Sequence, residues 1–505
     1  MIRRKLVWGL VWLGAACLLT FGCGNVISTT APTADTGGLI ILIGDTPLCD
    51  VLSFRSILTG MILRSQSEGI AANPFKGILQ PFIKVNFSAL RDLTSVLRVA
   101  PVTVGTYDQA TVSLGSVTFA YYDPTKNLPV TFVTPTFSDT NPTLNIQPPI
   151  TITKGTISAL KLDFDVRRSI SVDAQGHLTG ASSAALSLAP VTANSTNGFG
   201  RLEDLKGYIL SVTSGSTLSQ FLGSINIQLH SGSSAVPQVA VNFTPETRFF
   251  TADSTDNVGF TATPQFIGTI LGGSYVEVDG YIDSKGNLVA NTVQIEDQEN
   301  ANTSHQALIG TITGITRDLA GNATQFNLFV SEEQPESAFN VALDSIVDVE
   351  LLSATKYIYS SRPLNFASVP FDVTSMAVGQ QVIVHGASTR GTTGNPTSVK
   401  ADSVYLSLQS HEGNFSSLVS AASDDRTGAF WLQTCATLFH GSPMLVLTNS
   451  DTSFVNVTGL TGLTSQPTLI VKGLLFYELH GGTVNGVTVP PGTLLMLADE
   501  VHSLL

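Results

Sequence analysis

Few residues in this chain have the type and spacing to carry chemistry, and each has a plainer reading beside it. His411-Glu412-Gly413-Asn414 lacks the second histidine of an HExxH zinc helix and opens a stretch patterned as a strand. Asp253, Asp256 and Asn257 sketch a calcium loop without its full ligand spacing or terminal glutamate, which favours a solvated turn. Asp424-Asp425-Arg426-Thr427-Gly428 reads as a hairpin turn. Asp163 and Asp165 alternate with Leu162, Phe164 and Val166, so both carboxylates share one strand face; they could support acid or cation chemistry, but a half-exposed strand explains them without a site. No GxSxG elbow, phosphate loop or dense His/Cys cluster occurs in the sequence. The expectation is a non-enzyme with no metal and no cofactor. Aromatic side chains are the remaining candidates for binding. Tyr107, Tyr121 and Tyr122, near Phe119, could present rings to sugars or peptides, although most of the 26 phenylalanines must fill cores.

The four cysteines carry more information. Arg3, Arg4 and Lys5 precede about 16 mostly apolar residues that end at Gly22-Cys23, the layout of a secretory signal. A small residue before a cysteine at that point resembles the bacterial lipoprotein processing box, in which the cysteine becomes the lipidated first residue of the mature chain. Cys23 is the expected lipidation site. The box departs from its usual form, with Leu19 four residues upstream and Phe21 intervening, and Cys17 after Gly14-Ala15-Ala16 competes with it. An uncleaved anchor is the alternative, since the 17 residues from Leu6 to Gly22 lie at the lower limit for crossing a hydrocarbon layer about 30 Å thick. Cys49 and Cys435 remain after such processing; export permits a bridge between them, and two buried thiols are an equally good reading.

Composition describes what must position any site. The chain has 505 residues, 12% charged side chains, 44 glycines, 23 prolines and a formal net charge of −13, which becomes −16 once Arg3, Arg4 and Lys5 are removed. Such a surface repels nucleic acid, and no basic, aromatic-laced strip offsets it. Strand-length runs of Val, Ile, Thr, Leu and Phe alternate with Gly, Asn, Asp, Ser and Pro, the pattern of an all-β chain. The expected divisions are a signal peptide at 1–22, a flexible tether at 23–37 and an N-terminal β-sandwich at 38–200. The sandwich opens with the continuous apolar run GLIILIG at 38–44 and includes a short helix within 85–98, where Phe87, Leu90, Leu93 and Leu97 fall three to four apart.

From residue 205 the chain repeats. GYILSV, GTITGI and GNFSSL begin at Gly207, Gly310 and Gly413, 103 residues apart both times. A second landmark follows in each unit: YVEVDG ending at Gly280, QVIVHG at Gly386 and TLIVKG at Gly473. Closing strands start at Ala290, Ala401 and Ala498. A period this long marks tandem globular domains rather than a solenoid. The expectation is three small β-barrel or sandwich domains at 205–297, 307–409 and, most divergent, 411–505. Val276 and Val278, like Val382 and Val384, should point into a core, with bulges around Gly310 and Gly314. The glycines ending the second landmark are expected to turn sharp hairpins through positive φ.

With these residues in place a resemblance can be stated. Residues 38 to about 180, with GLIILIGDTPLCDVLSF and VTVGTYDQATVSLGSVTFAY, resemble the uncharacterised domain that opens many bacterial envelope lipoproteins (domain of unknown function 4382 type). Residues 265–297, with YVEVDGYIDSKGNLVANTVQIED, are similar to small β domains found in tandem in the same class (domain of unknown function 5666 type). The resemblance implies exported β domains and supplies no catalytic residue or ligand. The functional expectation is a non-catalytic, lipid-anchored protein of the bacterial cell envelope, at the outer membrane, with a scaffold, adhesion or surface-assembly role. Its partners would be the membrane through the N-terminal lipid, and envelope proteins or glycans, without nucleic acid. The alternative is a carbohydrate-binding envelope protein that uses exposed aromatics of the first domain.

Overall fold

A computed structural model describes residues 35–46, 51–75, 83–86, 94–123, 128–129, 139–165, 170–172, 178–181, 186–193, 198–215, 220–228, 238–251, 260–261, 263–295, 307–334, 341–359, 366, 369–390, 396–439, 441–465 and 468–503. The signal, residues 23–34 of the expected tether, Cys23 and Asp253 to Asn257 lie outside them; the last two tether residues, Thr36 and Gly37, already belong to the first strand.

The first domain is built from strands β1 (Thr36–Thr46), β2 (Val51–Arg64), β3 (Thr94–Thr103), β4 (Gly105–Asp123), β5 (Thr143–Ile152), β6 (Ile157–Asp165) and β7 (Leu186–Val191). They hydrogen-bond in the order β2-β4-β5-β7-β6-β1-β3, extended by short strands at the β2 end. This is one continuous sheet in place of the two facing sheets expected. It curls around one cluster that takes Leu39 and Ile41 from β1, Phe54 and Met61 from β2, and Leu160 and Phe164 from β6. The expected helix at 85–98 is narrowed at both ends. Its ends are strand, within Ile83–Asn86 and β3, and its centre at 87–93 lies outside the described residues. Leucines three to four apart suggested a helical stripe, but Val96 and Leu97 are neighbours buried in different clusters, which a strand achieves by alternating its faces.

That alternation also explains why β1 is apolar throughout. Leu39, Ile41 and Ile43 face the core of the curled sheet, while Ile40 and Leu42 face a second cluster shared with the next domain. A strand covered on both sides has no polar face to show in its sequence.

The three units that follow are five-stranded closed barrels of one topology. The first uses β8 (Gly200–Ser214), β9 (Gly223–Gln228), β10 (Gln238–Thr251), β11 (Tyr275–Ile282) and β12 (Leu288–Ile295). The second uses β13 (Ala307–Arg317), β14 (Ala323–Gln334), β15 (Ile346–Tyr359), β16 (Gln381–Arg390) and β17 (Pro396–Leu406). The third uses β18 (Gln409–Ala421), β19 (Gly428–Thr434), β20 (Met444–Thr448) with its continuation β21 (Ser453–Val455), β22 (Leu469–Glu478) and β23 (Thr493–Ser503). In each, the first strand pairs with the second and fourth, the second with the third, and the third runs parallel to the fifth, closing the barrel. This Greek-key connectivity is that of OB-type barrels. The one α-helix among the described residues, α1 (Pro264–Ile267), lies between the third and fourth strands of the first barrel; Thr263 caps it and Ile267 is buried.

Val276, Val278, Val382 and Val384 point inward, as the repeat requires. The bulges around Gly310 and Gly314 are present. Gly280, Gly386 and Gly473 have another role than the one expected. None lies at positive φ. Each sits at a bulge within the fourth strand, where a Cβ would overlap the main-chain carbonyl of Val289, Lys400 or Leu497 on the fifth. A small barrel must coil its strands tightly, and glycine permits the close crossing.

A second device recurs in the third strand, whose parallel pairing breaks for four residues at 244–247 and 352–355 and for five at 448–452. A buried threonine ends each gap. Thr247, Thr355 and Thr452 accept from the amides of Thr244, Leu352 and Asn449 at 2.9, 2.8 and 2.9 Å. The same hydroxyls donate to the carbonyls of Ala290, Ala401 and Ala498 at 2.7, 2.7 and 2.9 Å. One hydroxyl thus replaces the ladder bonds that the gap removes.

The domains are welded rather than strung. Ile40, Leu42, Val96 and Ala159 of the curled sheet share a cluster with the interior of the first barrel. Tyr275 and Tyr208 of the first barrel pack with Ala307, Ile383 and Tyr405 of the second. The interior of the second barrel is continuous with the outer face of the third through Phe366, Val369 and Phe371. Arg55 on β2 reaches across to the second barrel, pairing with Asp344 at 3.0 Å and donating to the Ser331 carbonyl. Burial lowers the Arg55 pKa and raises that of Asp344, so desolvation outweighs mutual attraction at both ends of the pair. Cys435, in the third barrel, is disulfide-bonded and exposed, which overturns the buried-thiol reading. Its partner lies outside the described residues.

Candidate functional site

The tyrosines expected to bind ligands are enclosed. Tyr107 is 0% exposed, Tyr121 8% and Tyr122 4%. The Tyr107 hydroxyl donates to the Thr103 carbonyl at 2.9 Å, and Tyr121 packs on Phe119 with centroids 6.0 Å apart. Burial raises the pKa of Tyr107 and Tyr122, holding both neutral well above the physiological range. The other early candidates are structural. Asp424 accepts from the Arg426 and Thr427 amides and the Thr427 hydroxyl, bonds that hold its carboxyl below the usual range. His411 is buried against the Phe439 ring at 5.0 Å. Asp163 lies 3.5 Å from Lys161 on a half-exposed strand. Among the described residues no group of three or more His, Cys, Asp or Glu is arranged to hold a metal.

The candidate site is instead a cleft of about 520 Å³ where the second and third barrels meet, and sequence reasoning missed it. Its wall includes Arg317, Trp431, Phe439, Tyr477, Ser442 and Thr493. Arg317 ends β13, Trp431 lies in the middle of β19, Tyr477 is one residue from the end of β22, and Thr493 opens β23. Phe439 closes a short 3-10 turn, Thr437–Phe439.

Alternation along β19 explains Trp431. Phe430 and Leu432 point into the third barrel, so Ala429 and Trp431 point out, where Ala429, Leu445 and Leu447 meet the second barrel. The face of the second and third strands is a frequent ligand surface in OB-type barrels. Here a neighbouring barrel covers most of it, and the cleft remains where that cover ends beside Trp431.

Buried amides hold the cleft's two sides together. The Gln380 side chain donates to the Leu475 carbonyl at 2.7 Å and to the Ser375 carbonyl at 3.1 Å, while its oxygen accepts from the Ala377 amide at 2.8 Å. Gln409 donates to the Gly379 carbonyl and accepts from the Gln381 amide. The Tyr477 amide donates to the Ser375 carbonyl. Gly379 lies at φ 93°, and any Cβ there would strike the Phe439 ring.

Arg317 is positioned by a turn. Asp318 accepts from the amides of Ala320 and Asn322 and from the Asn322 side chain, folding 318–322 back on itself. The Gly321 carbonyl then accepts from Arg317 Nη1 at 2.7 Å, and the Met376 carbonyl from Nη2 at 2.5 Å. The guanidinium carbon lies 4.9 Å from the Tyr477 ring centroid, within cation–π range. Desolvation lowers the Arg317 pKa from its usual value, though it stays a cation at any physiological pH. The cleft therefore presents one partly dehydrated positive charge among aromatic rings and hydroxyls, a set suited to binding.

The fold and this cleft define an all-β chain of tandem small barrels behind a larger sheet. No family model matches the chain, and no curated protein matches it. A solved structure described as drosophila Unr CSD456 is similar at 11% identity, over 60% of this chain and 97% of that one, with a TM-score of 0.13. A likeness that loose carries no argument.

Proposed function

We propose that this is a non-catalytic protein of the bacterial cell envelope, held to a membrane by lipid on Cys23 and serving as a scaffold, adhesion or surface-assembly component. Its opening domain would belong with the uncharacterised lipoprotein domains it resembles, and its barrels with the tandem β domains of that class. The observation that carries the reading is the disulfide at Cys435, because such bonds persist in oxidising compartments outside the cytosol. The welded interfaces add support, since a body without loose joints transmits position and load along its length.

Lipidation and the disulfide constrain each other. Cys17, Cys23 and Cys49 are the other cysteines, and processing at Cys23 discards the first and blocks the thiol of the second. The reading therefore requires Cys49 as the partner of Cys435. Mass mapping of non-reduced peptides from the protein made in a bacterial envelope tests this. A Cys49–Cys435 peptide together with an acylated Cys23 is the expected result, and a bond from Cys435 to Cys17 or Cys23 would overturn it. Glycan recognition by Tyr107, Tyr121 and Tyr122 gains no support from three enclosed rings.

A further inference from the structure

We propose that the cleft between the second and third barrels binds a small organic anion with one carboxylate on a ring body. Among the described residues Arg317 is the only cation in the cleft wall, and no carboxylate lines it. The partners of its guanidinium are two main-chain carbonyls and the Tyr477 ring, all formally neutral. A charge that is partly dehydrated and not neutralised by its own protein gains most from an anion supplied from outside. The planar fork carries five N–H donors, and the two carbonyl bonds leave enough of them to meet a carboxylate.

One cation sets the size of the anion's charge. A dianionic phosphate or sulfate ester would be half compensated, whereas a monocarboxylate is matched one to one. Trp431, Phe439 and Tyr477 supply ring surfaces for an apolar or pyranose body, and the Ser442 and Thr493 hydroxyls can orient its polar edge. The volume of about 520 Å³ lies inside the range of roughly 300–1,000 Å³ typical of small-molecule sites. The chain as a whole carries a net charge of −13, which disfavours diffuse anion binding elsewhere on the surface. A uronic acid residue of a glycan and an aromatic acid share the required chemistry.

The three tryptophans are Trp8, Trp12 and Trp431. In the full chain carrying Trp8→Phe and Trp12→Phe, Trp431 is the sole indole, and its emission reports on the cleft directly. Glucuronate and phenylacetate are titrated against glucuronamide and phenylacetamide, which keep the ring bodies and lose the charge. At least one acid should change the emission saturably, with its amide at least tenfold weaker; saturation by glucuronate assigns a saccharide source, and by phenylacetate an aromatic one. Arg317→Met should weaken the same acid at least tenfold. Because Arg317 also holds the Gly321 and Met376 carbonyls, the acid-to-amide comparison in the unsubstituted cleft stands without any Arg317 variant. Silence toward both acids, or amides that bind as well as acids, would overturn the proposal.

Discussion

Single atoms set the strongest expectations at the residue scale. The Thr355 hydroxyl satisfies the Leu352 amide and the Ala401 carbonyl inside the second barrel, so Thr355→Val keeps the shape and orphans both. A loss of about 1–3 kcal/mol is expected, read as a lower midpoint in denaturant. The Tyr357 hydroxyl is buried without a hydrogen-bond partner among the described residues, and burial, reinforced by Asp372, pushes its pKa up to about 12. The neutral form is therefore favoured by the fold. Its stabilising effect is complete below pH 10, where the unfolded phenol is also neutral, and is lost as pH rises through about 12. Tyr357→Phe should be at least as stable at neutral pH and should lose less stability between pH 8 and 11 than the parent, measured by denaturation at each pH. These threonines were hard to see in the sequence because one polar residue in a strand looks the same whether it faces solvent or plugs a gap. Their partner alanines at the start of each closing strand were visible; a threonine 43 to 46 residues upstream of each was the available signal.

Elements were more legible than sites. Strand-length runs, the 103-residue spacing and the inward valine pairs all translate directly into the barrels, because period-two burial leaves its mark on every half-covered strand. Two features did not translate. The glycines of the second landmark look like turn residues, since sequence alone cannot distinguish positive φ from close backbone crossing. Residues 94–98 look helical because strand β3, buried on two faces, has no polar alternation to betray it. Gly386→Ala separates the two readings of the landmark. At a turn with positive φ the cost would come from backbone strain, whereas at this bulge the methyl group meets the Lys400 carbonyl and parts β16 from β17. Faster amide exchange confined to those two strands, with a loss of about 1–3 kcal/mol, is the expected outcome.

At the scale of the whole molecule, interfaces decide behaviour. Asp344→Asn retains a side chain that tolerates the φ of 61° there but removes the nearest counter-charge of Arg55, leaving only the weaker pull of Glu332, and should cost about 3 kcal/mol. Combining it with Arg55→Met should restore most of that loss, since burial opposes the charged form of both partners. Because one apolar cluster runs from the interior of the second barrel to the outside of the third, calorimetry should show these two unfolding in one transition, not two. Nothing in the sequence announced this: a residue that faces a neighbouring domain and one that faces its own interior are both simply apolar. The cleft was illegible for the same reason, as Arg317 and Trp431 lie 114 positions apart and meet only once two barrels dock. The doubly covered strand β1 has a further consequence for how the chain is made. It leaves the ribosome early, yet Ile40 and Leu42 wait for a surface encoded between residues 199 and 295. Throughout that interval a greasy ribbon stands uncovered, so biogenesis must rely on a chaperone that shields nascent β-strands or on synthesis fast enough to outrun aggregation.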